Sequence, residues 1–205
     1  VEYRVATDKP CHSPAGARDY CGPAAYPSEP DRLFHNLGPA SDGGGARFEE
    51  ATAKAGLAGS SGSALGATAG DFDGDGRIDL YVANDGMANQ LWLNRTEGGE
   101  GKFVDEALLG GCAVNQEGQP EASMGVTADD FDADGDLDLF MTHLERETNT
   151  LYLNDGTGLF EDRSQQSGLA GPSWSATGFG LALIDYDNDG RRDLFVANGA
   201  VTLLW

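Results

Sequence analysis

Three segments of this chain place carboxylates at a spacing that suits a bound cation. Asp71, Asp73, Asp75 and Asp79 form the first, Asp130, Asp132, Asp134 and Asp138 the second, and Asp185, Asp187, Asp189 and Asp193 the third. Counted from the first aspartate, the acids fall at positions 1, 3, 5 and 9 of each segment, with Gly76, Gly135 or Gly190 at position 6. In such a loop the side chains at 1, 3 and 5 converge on one point, and the main-chain carbonyl at 7 adds a further oxygen. Glycine at 6 permits the sharp turn between them. An all-oxygen set favours a hard cation over a transition metal, and a flexible loop favours calcium over the smaller, stricter magnesium. Four carboxylates drawn close repel one another, and a divalent ion is the simplest relief.

A helix–loop–helix calcium site would need a bidentate glutamate at position 12 and a helix after it. Here position 12 is Val82, Met141 and Val196, inside apolar runs rich in β-branched and aromatic residues. Those runs, 80–84, 139–143 and 194–198, read as strands. Asp79, Asp138 and Asp193 must then supply what that glutamate would, in a loop set between two strands.

The elements around the loops repeat with a unit of roughly 55–60 residues, a length suited to a propeller blade or a solenoid repeat. A glycine stands five residues before each loop (Gly66, Gly125, Gly180). Strands at 90–94 and 150–154 follow the first two loops, with a counterpart at 32–36, and further elements open at Phe48, Phe103 and Phe160. About four short strands per unit, separated by turn residues, predict an all-β fold: a β-propeller of four-stranded blades. A blade cannot bury both faces alone, so the units must stack. Three loops and a leading half-unit give about three and a half blades, too few to close a ring, and the chain reads as a fragment.

Composition limits the partners. The net charge is −21, and thirteen of the 34 acids lie in the three loops, counting Asp136. Such a surface repels nucleic acid and anionic membrane. No apolar stretch approaches the ~18 residues that cross a bilayer. Cys11 and Cys21 lie in a Pro/Gly-rich segment that cannot order itself by burial. A disulfide there suits an oxidising compartment, and two free thiols are the alternative. Cys11, His12 and Cys21 lack a fourth zinc ligand. Cys112 reads as a small buried residue.

The three aspartate loops, together with 19–23 and 31–36, 147–154, 177–180 and 198–201, resemble the FG-GAP/VCBS repeats of integrin-type propellers. More narrowly, they are similar to the cartilage acidic protein/ASPIC-UnbV group of secreted repeat proteins. The resemblance spans nearly the whole chain. It implies a seven-bladed propeller in the intact protein, with calcium on hairpin loops and about three ions here. Carried over, the ligands are the twelve aspartates named above with the carbonyls of Arg77, Asp136 and Arg191. Two departures stand out. Position 8, usually apolar, is Arg192 in the third loop, which loosens its packing, and the C-terminal module of the ASPIC group is absent. Residues 1–30 form an irregular leader and 31–205 the repeats.

Clustered acids also suggest polysaccharide cleavage, in which two carboxyls flank a scissile bond. One catalytic centre would not recur at identical spacing in every unit, so that reading must rest on breaks in the pattern: His143, Glu145, Arg146 and Trp174. His35 and His143 read first as strand residues, His143 near a strand end where it could line a surface. His12 lies in the leader. Asn94 matches a glycosylation acceptor, but Asn36 and Asn154 hold the same repeat position without one, so a structural role explains it. The expected protein is an extracellular or periplasmic calcium-binding scaffold without catalytic residues, binding an unidentified protein or glycan and monomeric when intact. A polysaccharide-degrading propeller is the alternative.

Overall fold

The computed structural model describes residues 9–13, 16–19, 21–41, 43–98 and 101–201. Its regular structure is almost entirely antiparallel strand. Strands β1 (Cys11–His12) and β2 (Arg18–Asp19) form a small hairpin, and a disulfide joins Cys11 to Cys21 beside it. Strands β3 (Phe34–Pro39) and β4 (Ala46–Glu50) pair as a two-stranded sheet. Strand β3 starts two residues later than the repeat pattern suggests, because the Leu33 N–H donates to Thr52 Oγ1 rather than to a strand.

Two full units follow. The first contains β5 (Ala64–Gly70), β6 (Asp79–Asn84), β7 (Gln90–Asn94) and β8 (Phe103–Asp105), hydrogen-bonded in chain order. The second repeats this with β9 (Val126–Asp129), β10 (Asp138–Met141), β11 (Thr150–Asn154) and β12 (Phe160–Asp162). After the short helix α1 (Ala170–Ser173), β13 (Thr177–Ile184) and β14 (Asp193–Gly199) form a two-stranded sheet around the third loop. Among the described residues there are thus two four-stranded sheets and two half-units, and no sheet closes on itself.

The side-chain period of two explains the layering. Tyr81 and Ala83 of β6 enter one core with Leu139, Met141 and Tyr152 of the second sheet. Leu80 and Val82 face the opposite way and pack with Trp92 and Leu57. The first sheet thus has apolar neighbours on both faces. Cys112 is a free, buried thiol of the first core, as its isolation in the sequence suggests.

Strand β5 lies against β9, and β9 against β13. The recurring glycine makes this approach possible. A Cβ on Gly66 would stand 2.3 Å from the Met124 carbonyl oxygen, and one on Gly125 would stand 2.0 Å from that of Phe179. At Gly180 a Cβ would meet nothing.

Candidate metal centres

All three acidic loops are held in one register. Gly70 pairs with Asp79, Asp129 with Asp138, and Ile184 with Asp193, so each loop closes the hairpin at the same step of the ladder. Within the first loop, Asp71 accepts the N–H groups of Asp75 and Gly76 on its two oxygens, and Asp73 accepts that of Asp75. Asp130 and Asp132 repeat this in the second loop, and Asp185 and Asp187 in the third. Position 4 takes a positive φ in every copy, at Gly74 (70°), Ala133 (64°) and Asn188 (60°). Glycine and asparagine tolerate that conformation readily, and alanine less so. Gly and Asn at this step are the signal that reading position 6 alone passes over.

The acids at positions 1, 3 and 9 come together. One carboxylate oxygen from each of Asp71, Asp73 and Asp79 lies within 4.8 Å of the others, and so for Asp130, Asp132, Asp138 and for Asp185, Asp187, Asp193. The acids at position 5 are turned toward neighbouring groups. Asp75 accepts the N–H of Arg77 at 2.9 Å and also takes its guanidinium, and Asp189 is held the same way by Arg191. Asp134 accepts the Asp136 N–H.

Position 9 has a second duty that the spacing does not reveal. Asp79 and Asp138 are fully buried. Asp79 accepts N–H groups from Phe72 and Asn94, and Asp138 accepts them from Phe131 and Asn154, which ties the loop to the third strand of its sheet. Burial raises both carboxyls from their ordinary value, with these N–H bonds working against it and the neighbouring loop acids adding to it. Asp136 is also raised, by desolvation and then by Asp134, Asp130, Asp155 and Asp132. Clustered negative charge of this kind is what a bound cation relieves. The donor set, all oxygens and already converged, fits a hard divalent ion.

Two asparagines brace the loops, and the second also links the units. Asn94 donates from its amide to the Ile78 carbonyl. Asn154 donates to the carbonyls of Leu137 and, across the sheets, Phe72. Phe72, at loop position 2, is fully buried and meets Phe160 edge-on at 6.1 Å. In the second and third loops position 8 packs on the preceding unit: Leu137 fills the space over Gly70, and Arg192 pairs with Asp129 at 2.8 Å, whereas Ile78 of the first loop is exposed. The Leu-on-Gly contact is thus replaced by Arg-on-Asp.

At the other end of the strands, His143 is not a surface residue. It is 1% exposed, with Nε2 3.1 Å from Ser123 Oγ and 3.7 Å from Glu121 Oε2. Burial pushes its imidazole down to about 4 and, acting on Glu121, pushes that carboxyl up to about 7. Trp174 and Arg146 are exposed, whereas His143 cannot reach a ligand on their surface. Glu145, Arg146 and Trp174 do adjoin, the Arg146 N–H donating to the Trp174 carbonyl and its guanidinium lying 3.9 Å from Glu145, so burial removes only His143 from the set of pattern breaks.

A profile of FG-GAP-like repeats matches residues 71–141 and again 130–196. Human cartilage acidic protein 1 is 27% identical over 177 residues, covering 83% of this chain and 24% of the relative. The mouse protein of that name is likewise 27% identical over 177 residues, and that of Xenopus tropicalis 25% over 140. The chain spans about a quarter of the length of the human and mouse relatives.

Proposed function

The chain belongs to the FG-GAP-like repeat family, and on that premise we propose that it is a calcium-clipped β-propeller segment serving as an extracellular binding scaffold. The observation that carries this is the triple recurrence of converged carboxylates in one register, at positions 1, 3 and 9 of each loop. Calcium would supply one concentrated positive charge per loop, and each acidic hairpin would be held by its own ion. Asp71, Asp73, Asp75, Asp79 and the Arg77 carbonyl form the first ligand set. Asp130, Asp132, Asp134, Asp138 and the Asp136 carbonyl form the second. Asp185, Asp187, Asp189, Asp193 and the Arg191 carbonyl form the third.

The four-stranded sheets and the glycine-mediated approach of β5, β9 and β13 support blades whose first strands gather toward an axis. In this reading residues 1–30 are a leader pinned by the Cys11–Cys21 bridge and 31–205 carry the repeats of a seven-bladed ring, monomeric when complete. The bridge suits an oxidising, extracellular or periplasmic setting. No described helix is long and apolar enough to cross a membrane. The partner class is a protein or glycan, and the matched family is described as a repeat.

Binding that favours the folded state stabilises it by about 4 kcal/mol per site at a thousandfold excess over Kd. At roughly 2–4 °C per kcal/mol for a chain of this size, chelation should lower the melting temperature by more than about 10 °C. Added calcium should restore it. A melt that excess chelator leaves unchanged would sink the proposal.

A further inference from the structure

The loops share carboxylates but not surroundings. In the first, Arg95 lies just after β7 and places Nη1 2.5 Å from Asp73 Oδ2 and 3.0 Å from Asp75 Oδ2. The Asp73 side chain is only 8% exposed beneath it. Arg77 donates to the same Asp75 Oδ2 while its Nε donates to the Asn94 carbonyl. The first loop thus has two guanidinium groups on its acids.

The second loop reverses both positions. Residue 7 is Asp136 where the first loop has Arg77, and the residue after the strand asparagine is Asp155 where the first unit has Arg95. Asp136 lies against the turn after β11, since a Cβ on Gly156 would stand 2.4 Å from its Oδ2. The Asp155 carboxylate is committed to its own turn, accepting the N–H and hydroxyl of Thr157, so it acts on the loop through its charge. Among the described residues no Lys or Arg forms an ion pair with Asp130, Asp132, Asp134 or Asp138.

We infer that the two loops are unequal cation sites: Arg95 is a resident counter-cation that a divalent ion must displace from Asp73 and Asp75, and the loop at 130–138 is the tight site. The inference rests on the calcium reading above. A charge-assisted bond to a mostly covered carboxylate is costly to give up. A guanidinium left close to a divalent ion opposes it, whereas two extra acids attract it.

Calorimetric titration of the full chain with calcium chloride tests this. Asp132→Asn should remove a tight step and Asp73→Asn a weaker one. Arg95→Gln should lower the dissociation constant of the Asp73-dependent step about tenfold, and Asp155→Arg should weaken the Asp132-dependent step by a similar factor. Circular dichroism establishes that each variant is folded, and if Arg95→Gln is not, Asp155→Arg carries the test alone. The inference is overturned if Asp73→Asn and Asp132→Asn remove steps of equal affinity. It also fails if the charge substitutions move neither step while calcium still binds. Absence of calcium binding in the unaltered chain would instead remove the reading beneath it.

Discussion

Replacing Gly125 by alanine isolates the close approach of the first strands of successive units. The new Cβ would stand 2.0 Å from the Phe179 carbonyl oxygen and 3.0 Å from Thr142 Oγ1. Real Cβ atoms do not approach closer than 3.0 Å, so β9 and β13 would have to separate by at least about 1 Å, an overpacking strain of roughly 1–3 kcal/mol. The same shift strains two bonds of Thr142, whose hydroxyl donates to Phe179 at 2.9 Å and accepts the Gly125 N–H. Each contributes about 1 kcal/mol. The expected loss is therefore about 2–4 kcal/mol. Gly180→Ala is the matched control, at the same repeat position with nothing in the way and no positive φ to forbid a side chain. It should change stability by less than about 1 kcal/mol, in the stabilising direction if at all. Urea denaturation of the two variants, with calcium held constant, measures the difference. Equal losses at the two positions would refute the steric account, since backbone entropy alone would act alike at both.

Two further outcomes concern the buried polar groups. The His143 imidazole is held neutral by burial, its folded value near 4 below an unfolded value near 6.5. Its contribution is therefore lost as pH falls from 6.5 toward 4, by up to about 3 kcal/mol. Glu121 is shifted the other way, to about 7, so its contribution is present below pH 4.5 and lost as pH rises through 7. The two oppose each other between pH 4.5 and 6.5. Glu121→Gln should fall progressively in stability relative to the unaltered chain as pH drops from 7.5 to 4.5, and His143→Gln should rise. Denaturant midpoints at several pH values check this, and a pH-independent difference for both variants would contradict it. Asn154→Ala removes the amide that bonds Leu137 and Phe72 and leaves buried groups unmatched, so it should cost about 2–4 kcal/mol. A change below 0.5 kcal/mol in the same denaturation assay, a threshold of roughly surface-substitution size, would show that this link between sheets is dispensable.

Local chemistry made the hairpins legible in the sequence. An acidic turn followed by an apolar run predicts β6, β10 and β14, and strands β7 and β11 have the predicted bounds of 90–94 and 150–154. Position 12 excluded a helix after the loop, and the structure places β6, β10 and β14 there. Features that depend on a neighbouring unit were not legible. Phe72 enters the core because Phe160 is there to meet it, and the amide of Asn154 reaches a carbonyl 82 residues away. His143 reads in the sequence as a strand residue that could line a surface, but the loops at 121–123 and 149 close over it. Arg192 breaks the apolar pattern at position 8, yet finds Asp129 on the unit before it.

The central claim is that each acidic loop holds one calcium ion. Anomalous diffraction from crystals of the chain grown in calcium tests it most directly. The account predicts three peaks, one per loop, each about 2.3–2.6 Å from oxygens of the aspartates at positions 1, 3, 5 and 9 and the carbonyl at 7. Loops folded as described but without anomalous density, at calcium concentrations in large excess over the protein, would contradict it.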